Sequence, residues 1–232
     1  MRSAHANLKR TEETVSQISL LLSELEDPFQ MFPLQEIAAR LNQCIADGRT
    51  YLAERAGWFG VSAKYRTVDE EHTEEMIVNL IGSAFVLAQT SIVQAVAIAI
   101  KLHEIAGDPP WMPNCKADIM KIESRIHGET GLSEIVLFNA VANYFKHRHQ
   151  WSSDWGQQQP VLRERESATI QIVSKLGLSA KAINNLDIAL RNLGLANVLA
   201  LGESVQAWRE RLAQNLRARL SEHDTVEAKE LG

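Results

Sequence analysis

The stretch that most constrains the fold runs from Leu132 to Trp151 and reads LSEIVLFNAVANYFKHRHQW. Successive residues of an α-helix are rotated by about 100°, so the apolar side chains of this stretch cannot share one narrow seam. A helix that is apolar around most of its circumference packs against several neighbours. We therefore expect a central, buried helix here, with the rest of the chain arranged around it.

The polar side chains inside this helix gather on a single stripe. Five of them fall within roughly a quarter turn of one another, namely Asn139, Asn143, Lys146, His147 and Gln150. Arg148 and His149 point away from that stripe. If the stripe faces a groove, that groove is the best candidate for a functional site.

A purely structural interpretation of the same residues is also open. Asn139 and Asn143 would then bond to polar side chains of a neighbouring helix, such as Gln94 or Ser83. The cationic residues from 146 to 149 would form a solvated last turn, which the negative end of the helix dipole favours.

Helical periodicity recurs along the whole chain, and no stretch alternates with a period of two. Twelve glycines and six prolines are few for 232 residues, which argues against an all-β fold with many tight turns. The sequence therefore predicts an all-α multi-helix bundle. Its core would span residues 1–155, a C-terminal helical module would span 161–222, and a frayed tail would span 223–232. The polar stretch SSDWGQQQP after Trp151 is the expected boundary.

The apolar run from Met76 to Ile105 is long enough to suggest a membrane span, but polar residues interrupt it too often. We interpret it as a buried helix in which Gly82 lets another helix approach closely. The N-terminus has no apolar run resembling a signal peptide, and the two cysteines form no disulfide or metal-binding pattern. Cys44 lies on an apolar helix face and is expected to be buried. These features predict a cytoplasmic protein with no membrane partner.

The formal charge of −5 gives no general attraction to nucleic acid, so such binding would need a local basic patch. The sequence NYFKH, from Asn143 to His147, fits an N-x-x-x-H pattern on a late helix that follows a long apolar one. It resembles the HEPN superfamily of helical bundles, which are often dimeric and associated with RNA cleavage, toxin–antitoxin pairs and phage defence. Ala142 occupies the position at which that family commonly has Arg.

The resemblance implies a protein that binds or cleaves RNA. Asn143, Lys146 and His147 would be the catalytic residues, with the imidazole assisting attack of a ribose hydroxyl on phosphate. Lys146, Arg148 and His149 would bind the nucleic acid. A histidine beside a cation suits this chemistry, because it titrates near neutrality and the cation stabilises phosphate charge. RNA and a second copy of the chain are the expected partners.

Two other functions stay open. Long apolar helices suit a non-catalytic, oligomeric interaction protein. Residues 168–191 also resemble a helix-turn-helix, with a turn at Gly177 and Ser179 as the next N-cap. The DNA-reading residues of that alternative would be Ser179, Lys181, Asn184, Asn185 and Arg191. A simple helical hairpin gives the same pattern and is favoured.

No cofactor and no metal is expected. A di-iron bundle needs Glu-x-x-His on two helices, whereas His72 precedes Glu75 and the pattern appears once. Solvated, charged helix ends explain these residues.

Overall fold

A computed structural model of the chain describes residues 12–27, 30–59, 67–151, 155, 164–180, 182 and 184–230. Of these residues 77% are helical, and none of them belongs to a β-strand. The prediction of an all-α multi-helix bundle is therefore confirmed. The helices in chain order are α1 (Glu12–Glu26), α2 (Phe32–Phe59), α3 (Val68–Ile105), α4 (Lys116–Ile119), α5 (Glu134–His147), α6 (Glu164–Lys175), α7 (Asn185–Asn192) and α8 (Leu199–Glu230).

The centre of the bundle is α3, not α5 as the sequence suggested. α3 packs against α1, α2, α5, α7 and α8, whereas α5 lies mainly between α3 and α6. Thr67 and Glu70 begin α3 with reciprocal side chain-to-backbone bonds, a capping box. Its core side chains are inaccessible to solvent, among them Ile81, Phe85 and Ile92. The longest apolar run of the chain is thus the one that the other helices surround.

α3 also has the length and apolar composition that a membrane span requires, and it is the one helix of the described chain that does. In its most apolar window, 56% of the residues are buried against other parts of the protein. Asn79, Thr90, Gln94 and Lys101 lie on its exposed surface.

Gly82 brings α3 and α5 into close contact, as predicted. The ring of Phe145 on α5 lies over Gly82, so close that a Cβ at position 82 would clash with it. One turn further along α3, Phe85 meets Phe138 edge to face, with ring centroids 6.3 Å apart. The two helices therefore pack closely at Gly82 and through the Phe85–Phe138 ring pair.

Arg209 on α8 contacts α1 and α3 inside the core. Its side chain is fully buried, with 1% of the residue exposed. The guanidinium donates to the Glu24 and Leu25 carbonyls at the end of α1 and to the Ser91 carbonyl of α3. Burial lowers the pKa of Arg209, and the negative charge of Asp27 opposes that effect. This side chain therefore satisfies carbonyls at the C-terminus of α1 and links α1, α3 and α8.

α4 has only four residues. The chain leaves it after Ile119, and Glu123 adopts a left-handed backbone conformation with φ of 52°. The carbonyls that a longer helix would use internally bond to α8 instead. The Ile122 carbonyl accepts from Nε1 of Trp208, and the Glu123 carbonyl accepts from Nε of Arg211.

α7 begins at Asn185, so the prediction of Ser179 as its N-cap is wrong. Oδ1 of Asn185 accepts from the Ser179 amide at 3.0 Å, and Nδ2 donates to the Ser179 carbonyl at 2.6 Å. The same Nδ2 donates to the hydroxyl of Tyr144 at 2.6 Å. These bonds link Ser179 to the first residue of α7, and they commit the Asn185 amide to the interior.

Two further differences concern burial and a helix end. Cys44 is exposed rather than buried. α8 continues through the predicted tail as far as Glu230. A single cluster of buried apolar side chains extends from Ile18 to Leu220 and includes residues of both predicted parts of the chain.

Replacing Gly82 with Ala tests the close approach of α3 and α5. We expect Gly82→Ala to destabilise the fold by about 1–3 kcal/mol, because the Phe145 ring has to move. Gly202→Ala is the matched control, since a Cβ at that buried helical glycine would make only ordinary contacts near 3.8 Å. The control should be neutral or slightly stabilising. Equal effects of the two changes on urea unfolding would contradict the packing described here.

Replacing Arg209 with Met tests the buried guanidinium. Arg209→Met should lower the free energy of unfolding by on the order of 3 kcal/mol, because buried carbonyls of α1 and α3 lose their donors. Arg219→Met, at an exposed position of the same helix, should cost about 1 kcal/mol or less. Chemical unfolding followed by circular dichroism measures both, and a loss confined to Arg219→Met would overturn the assignment.

Candidate functional site

A polar network centred on Gln89 crosses the interface between α3 and α5. Gln89 lies on the buried side of α3, with 6% of its surface exposed. Its Nε2 donates to Oδ1 of Asn139 at 2.9 Å and to Oδ1 of Asn143 at 2.8 Å. Its Oε1 accepts from Nζ of Lys146 at 2.6 Å. Both ends of one buried amide are therefore bonded to the polar stripe of α5.

A second ammonium group joins the network from α4. Lys116, the first residue of α4, donates from Nζ to Oδ1 of Asn139 at 2.9 Å. It is partly buried, whereas Lys146 is exposed. Two ammonium groups are thus attached to the same set of side-chain amides. We call the group the amide–lysine network; its members are Gln89, Lys116, Asn139, Asn143 and Lys146.

The electrostatics of the network are unbalanced. Burial lowers the pKa of Lys116, and the positive charge of Lys146 lowers it further. Among the described residues, no carboxylate forms an ion pair with either ammonium. Every protein acceptor that they bond to is a neutral amide oxygen. Two neighbouring cations without a counter-charge create a locally positive electrostatic potential that attracts an anion, even on a protein of net negative charge.

The other predicted site residues lie outside the network. His147 is exposed, and its Nδ1 lies 3.3 Å from Oε1 of Gln150. Arg148 donates to Oδ1 of Asn79 at 2.9 Å, and its guanidinium lies 4.7 Å from the centroid of the Phe145 ring. His149 is exposed beside Arg148. The structure therefore brings Asn143 and Lys146 together and leaves the two histidines at the surface.

Comparison of the chain with protein-family models, curated proteins and solved structures gives no match. The resemblance to the HEPN superfamily accordingly rests on the pattern from Asn143 to His147. In the described part of the chain, no group of three or more His, Cys, Asp or Glu side chains is placed to hold a metal ion. The chemistry that the amide–lysine network offers is the binding of an anion by two ammonium groups, beside the side-chain amides of Asn139 and Asn143.

Sequence reasoning missed two members of the network, Gln89 and Lys116. The expected partners were wrong, because Gln94 bonds to Gln30 and Ser83 bonds to a carbonyl of its own helix. Gln89 carried a usable signal, since it lies four residues after Phe85 on the apolar side of α3. Lys116 carried none, because its position depends on the path of the chain between α3 and α4.

Removal of one ammonium group should be measurable at the other. In Lys146→Met we expect the pKa of Lys116 to rise, because the like charge disappears, but to stay below its usual range because burial remains. Wild-type Lys116 should therefore lose its charge at a lower pH than exposed lysines do. Carbon NMR of methylated lysines across a pH titration measures this directly.

Lys101→Met is the control for that titration, since Lys101 pairs with Glu104 and is not a member of the network. It should leave the pKa of Lys116 unchanged. A Lys116 pKa that is the same in Lys146→Met as in the wild type would show that the two ammonium groups do not interact.

Proposed function

We propose that this protein binds RNA and holds the phosphate backbone at the amide–lysine network. The observation that supports this is that burial and the positive charge of Lys146 lower the pKa of Lys116, while no carboxylate of the described residues pairs with either ammonium group. A phosphate would supply the missing negative charge. Its oxygens would also accept hydrogen bonds from Lys116 and Lys146, which among the described residues bond to neutral amide oxygens.

The surroundings of the network favour a nucleic acid over a single small anion. Lys146 begins the run KHRH, which continues from α5 into the following 3-10 turn at Arg148–Gln150. Arg148 adds a guanidinium that is already oriented by Asn79 and Phe145. A chain of cations can contact successive phosphates, and the amides of Asn139 and Asn143 can bond to ribose hydroxyls or base edges.

RNA cleavage, which the HEPN resemblance implies, is a finer proposal that rests on His147. This residue follows Asn143 by one helical turn on the same face of α5. Its Nε2 bonds to none of the described residues. A neutral imidazole at this position has the chemistry to accept the proton of a ribose 2′-hydroxyl that attacks the adjacent phosphate. The bond from phosphorus to the 5′-oxygen then breaks, the 5′-oxygen takes a proton from water, and a 2′,3′-cyclic phosphate is formed.

The DNA-binding alternative has less support. A DNA-reading helix would need the Asn185 amide, which is buried and bonded to Ser179 and Tyr144. The oligomeric state, the cytoplasmic location and the toxin or phage-defence setting stay predictions.

RNA binding should depend on the network in a salt-sensitive way. We expect the double variant Lys116→Met/Lys146→Met to bind single-stranded RNA at least about tenfold more weakly than the wild type does. The slope of log K against log salt should fall by roughly 1.4, because each lost phosphate contact contributes about 0.7. Fluorescence anisotropy with a labelled RNA of mixed sequence measures both quantities.

The control is Lys101→Met/Lys121→Met, which removes the same charge from two lysines that pair with carboxylates. It should keep most of the affinity and of the salt slope. Equal losses in the two double variants, or no binding by the wild type, would refute the proposal.

Incubating the same RNA with the protein in the presence of a chelator distinguishes cleavage from binding. Cyclic-phosphate ends that form with the wild type and vanish with His147→Ala would assign cleavage to this imidazole. Binding without such ends would leave the protein an RNA-binding protein and refute the ribonuclease proposal.

A further inference from the structure

A cleft lies between α2, α3 and α7, away from the amide–lysine network. The cleft has a volume of 650 Å³. Small-molecule sites in proteins usually enclose about 300–1,000 Å³. None of the residues that line the cleft belongs to the network. The cleft is therefore a separate candidate for a ligand.

The inner wall of the cleft is apolar. Ile77 and Val78 of α3 and Leu190 of α7 line it, and all three belong to the core, with at most 9% of their surface exposed. Leu52 and Leu195, which are partly buried, extend the same wall. This wall suits an aromatic ring or a short alkyl chain.

Charged side chains form the outer part of the cleft, and the two carboxylates among them are already engaged. Nη2 of Arg49 lies 2.5 Å from Oδ1 of Asp187, so this pair links α2 to α7. Glu74 also has an interaction of its own. The charge of Asp187 is therefore offset by Arg49 within the cleft.

Two polar side chains in the lining are uncommitted. The guanidinium of Arg191 is exposed and bonds to no side chain among the residues that the structure describes. Asn184 is the N-cap of α7, yet its side chain makes no capping bond. The two residues are seven positions apart, which places them on the same side of the helix axis. They give the cleft a guanidinium and a side-chain amide, beside its apolar wall, for which the described residues provide no side-chain partner.

We propose that this cleft binds a small organic anion with an apolar body, such as an aromatic or short-chain carboxylate or sulfonate. Arg191 would pair with the anionic group, since a guanidinium matches the geometry of two acceptor oxygens. Asn184 would donate a further hydrogen bond. The apolar body would lie against Ile77, Val78 and Leu190. This site is independent of the proposed RNA binding.

The aromatic sulfonate 1-anilinonaphthalene-8-sulfonate is a suitable probe, because its fluorescence rises in an apolar site. We expect saturable binding with one probe per chain, and competition by octanoate. Arg191→Gln should weaken binding by about tenfold, through loss of the charge-assisted bonds. Arg40→Gln, the same charge change at an exposed site on α2, should alter it by less than about twofold.

Asp187→Asn gives a change of opposite sign. It removes a carboxylate from the cleft and releases Arg49 from its ion pair, so the probe should bind more tightly. Ala196→Trp would place an indole at the lining of the cleft and should abolish binding. Circular dichroism and the thermal midpoint show whether each variant is folded.

The proposal is overturned if the probe does not bind the folded wild type, or if Arg191→Gln and Ala196→Trp bind it as the wild type does. It is also overturned if Lys116→Met/Lys146→Met abolishes probe binding, since the anion would then occupy the amide–lysine network. That variant leaves the cleft intact, so failure of the RNA proposal and failure of this one are distinguishable.

Discussion

The close approach of α3 and α5 at Gly82 is the contact on which the candidate site depends. With Phe145 lying over Gly82, the two helices run antiparallel in a single register. Asn79 then faces Arg148, and Gln89 faces the turn of α5 that carries Asn139 and Asn143. A side chain at position 82 would separate the helices at the point that sets this register. The geometry of the amide–lysine network therefore depends on the missing side chain of Gly82, which lies two helical turns away.

Arg209 and Lys116 are both withdrawn from solvent, but the surrounding protein compensates their charges to different extents. Arg209 is fully buried, but carbonyls of α1 and α3 and the charge of Asp27 compensate its desolvation. Lys116 is less buried, yet its neighbour Lys146 adds repulsion, and its acceptor is a neutral amide. The first arrangement joins helices and is complete in itself. The second leaves charge uncompensated, which is typical of positions that bind a ligand.

Much of the fold follows from the spacing of apolar residues. The helix within 132–151 and the close approach at Gly82 were predictable, because helical periodicity and a lone glycine on an apolar helix are local signals. The choice of α5 as the central helix was wrong for a reason that periodicity cannot resolve. Both α3 and α5 are apolar around most of their circumference, and only the three-dimensional packing shows which one has more neighbours.

The site was predictable in part for the same reason. The stripe of Asn139, Asn143 and Lys146 is a property of one helix, so the sequence contains it. Its connection to Gln89 requires the register of two helices, and its connection to Lys116 requires the path of the chain through the turns after α3. The mistaken N-cap at Ser179 has a similar origin, since the bond from Asn185 to Tyr144 is a long-range contact that overrides a local capping preference.

α3 contributes to both candidate sites, and its geometry keeps them apart. Ile77 and Val78 line the cleft, whereas Gln89 holds the amide–lysine network. The separation of eleven to twelve residues corresponds to roughly 17 Å along the helix. An anion in the cleft and a phosphate at the network would therefore contact different turns of α3. Their charges would lie further apart than the screening length of roughly 8 Å at physiological salt, so neither ligand should exclude the other.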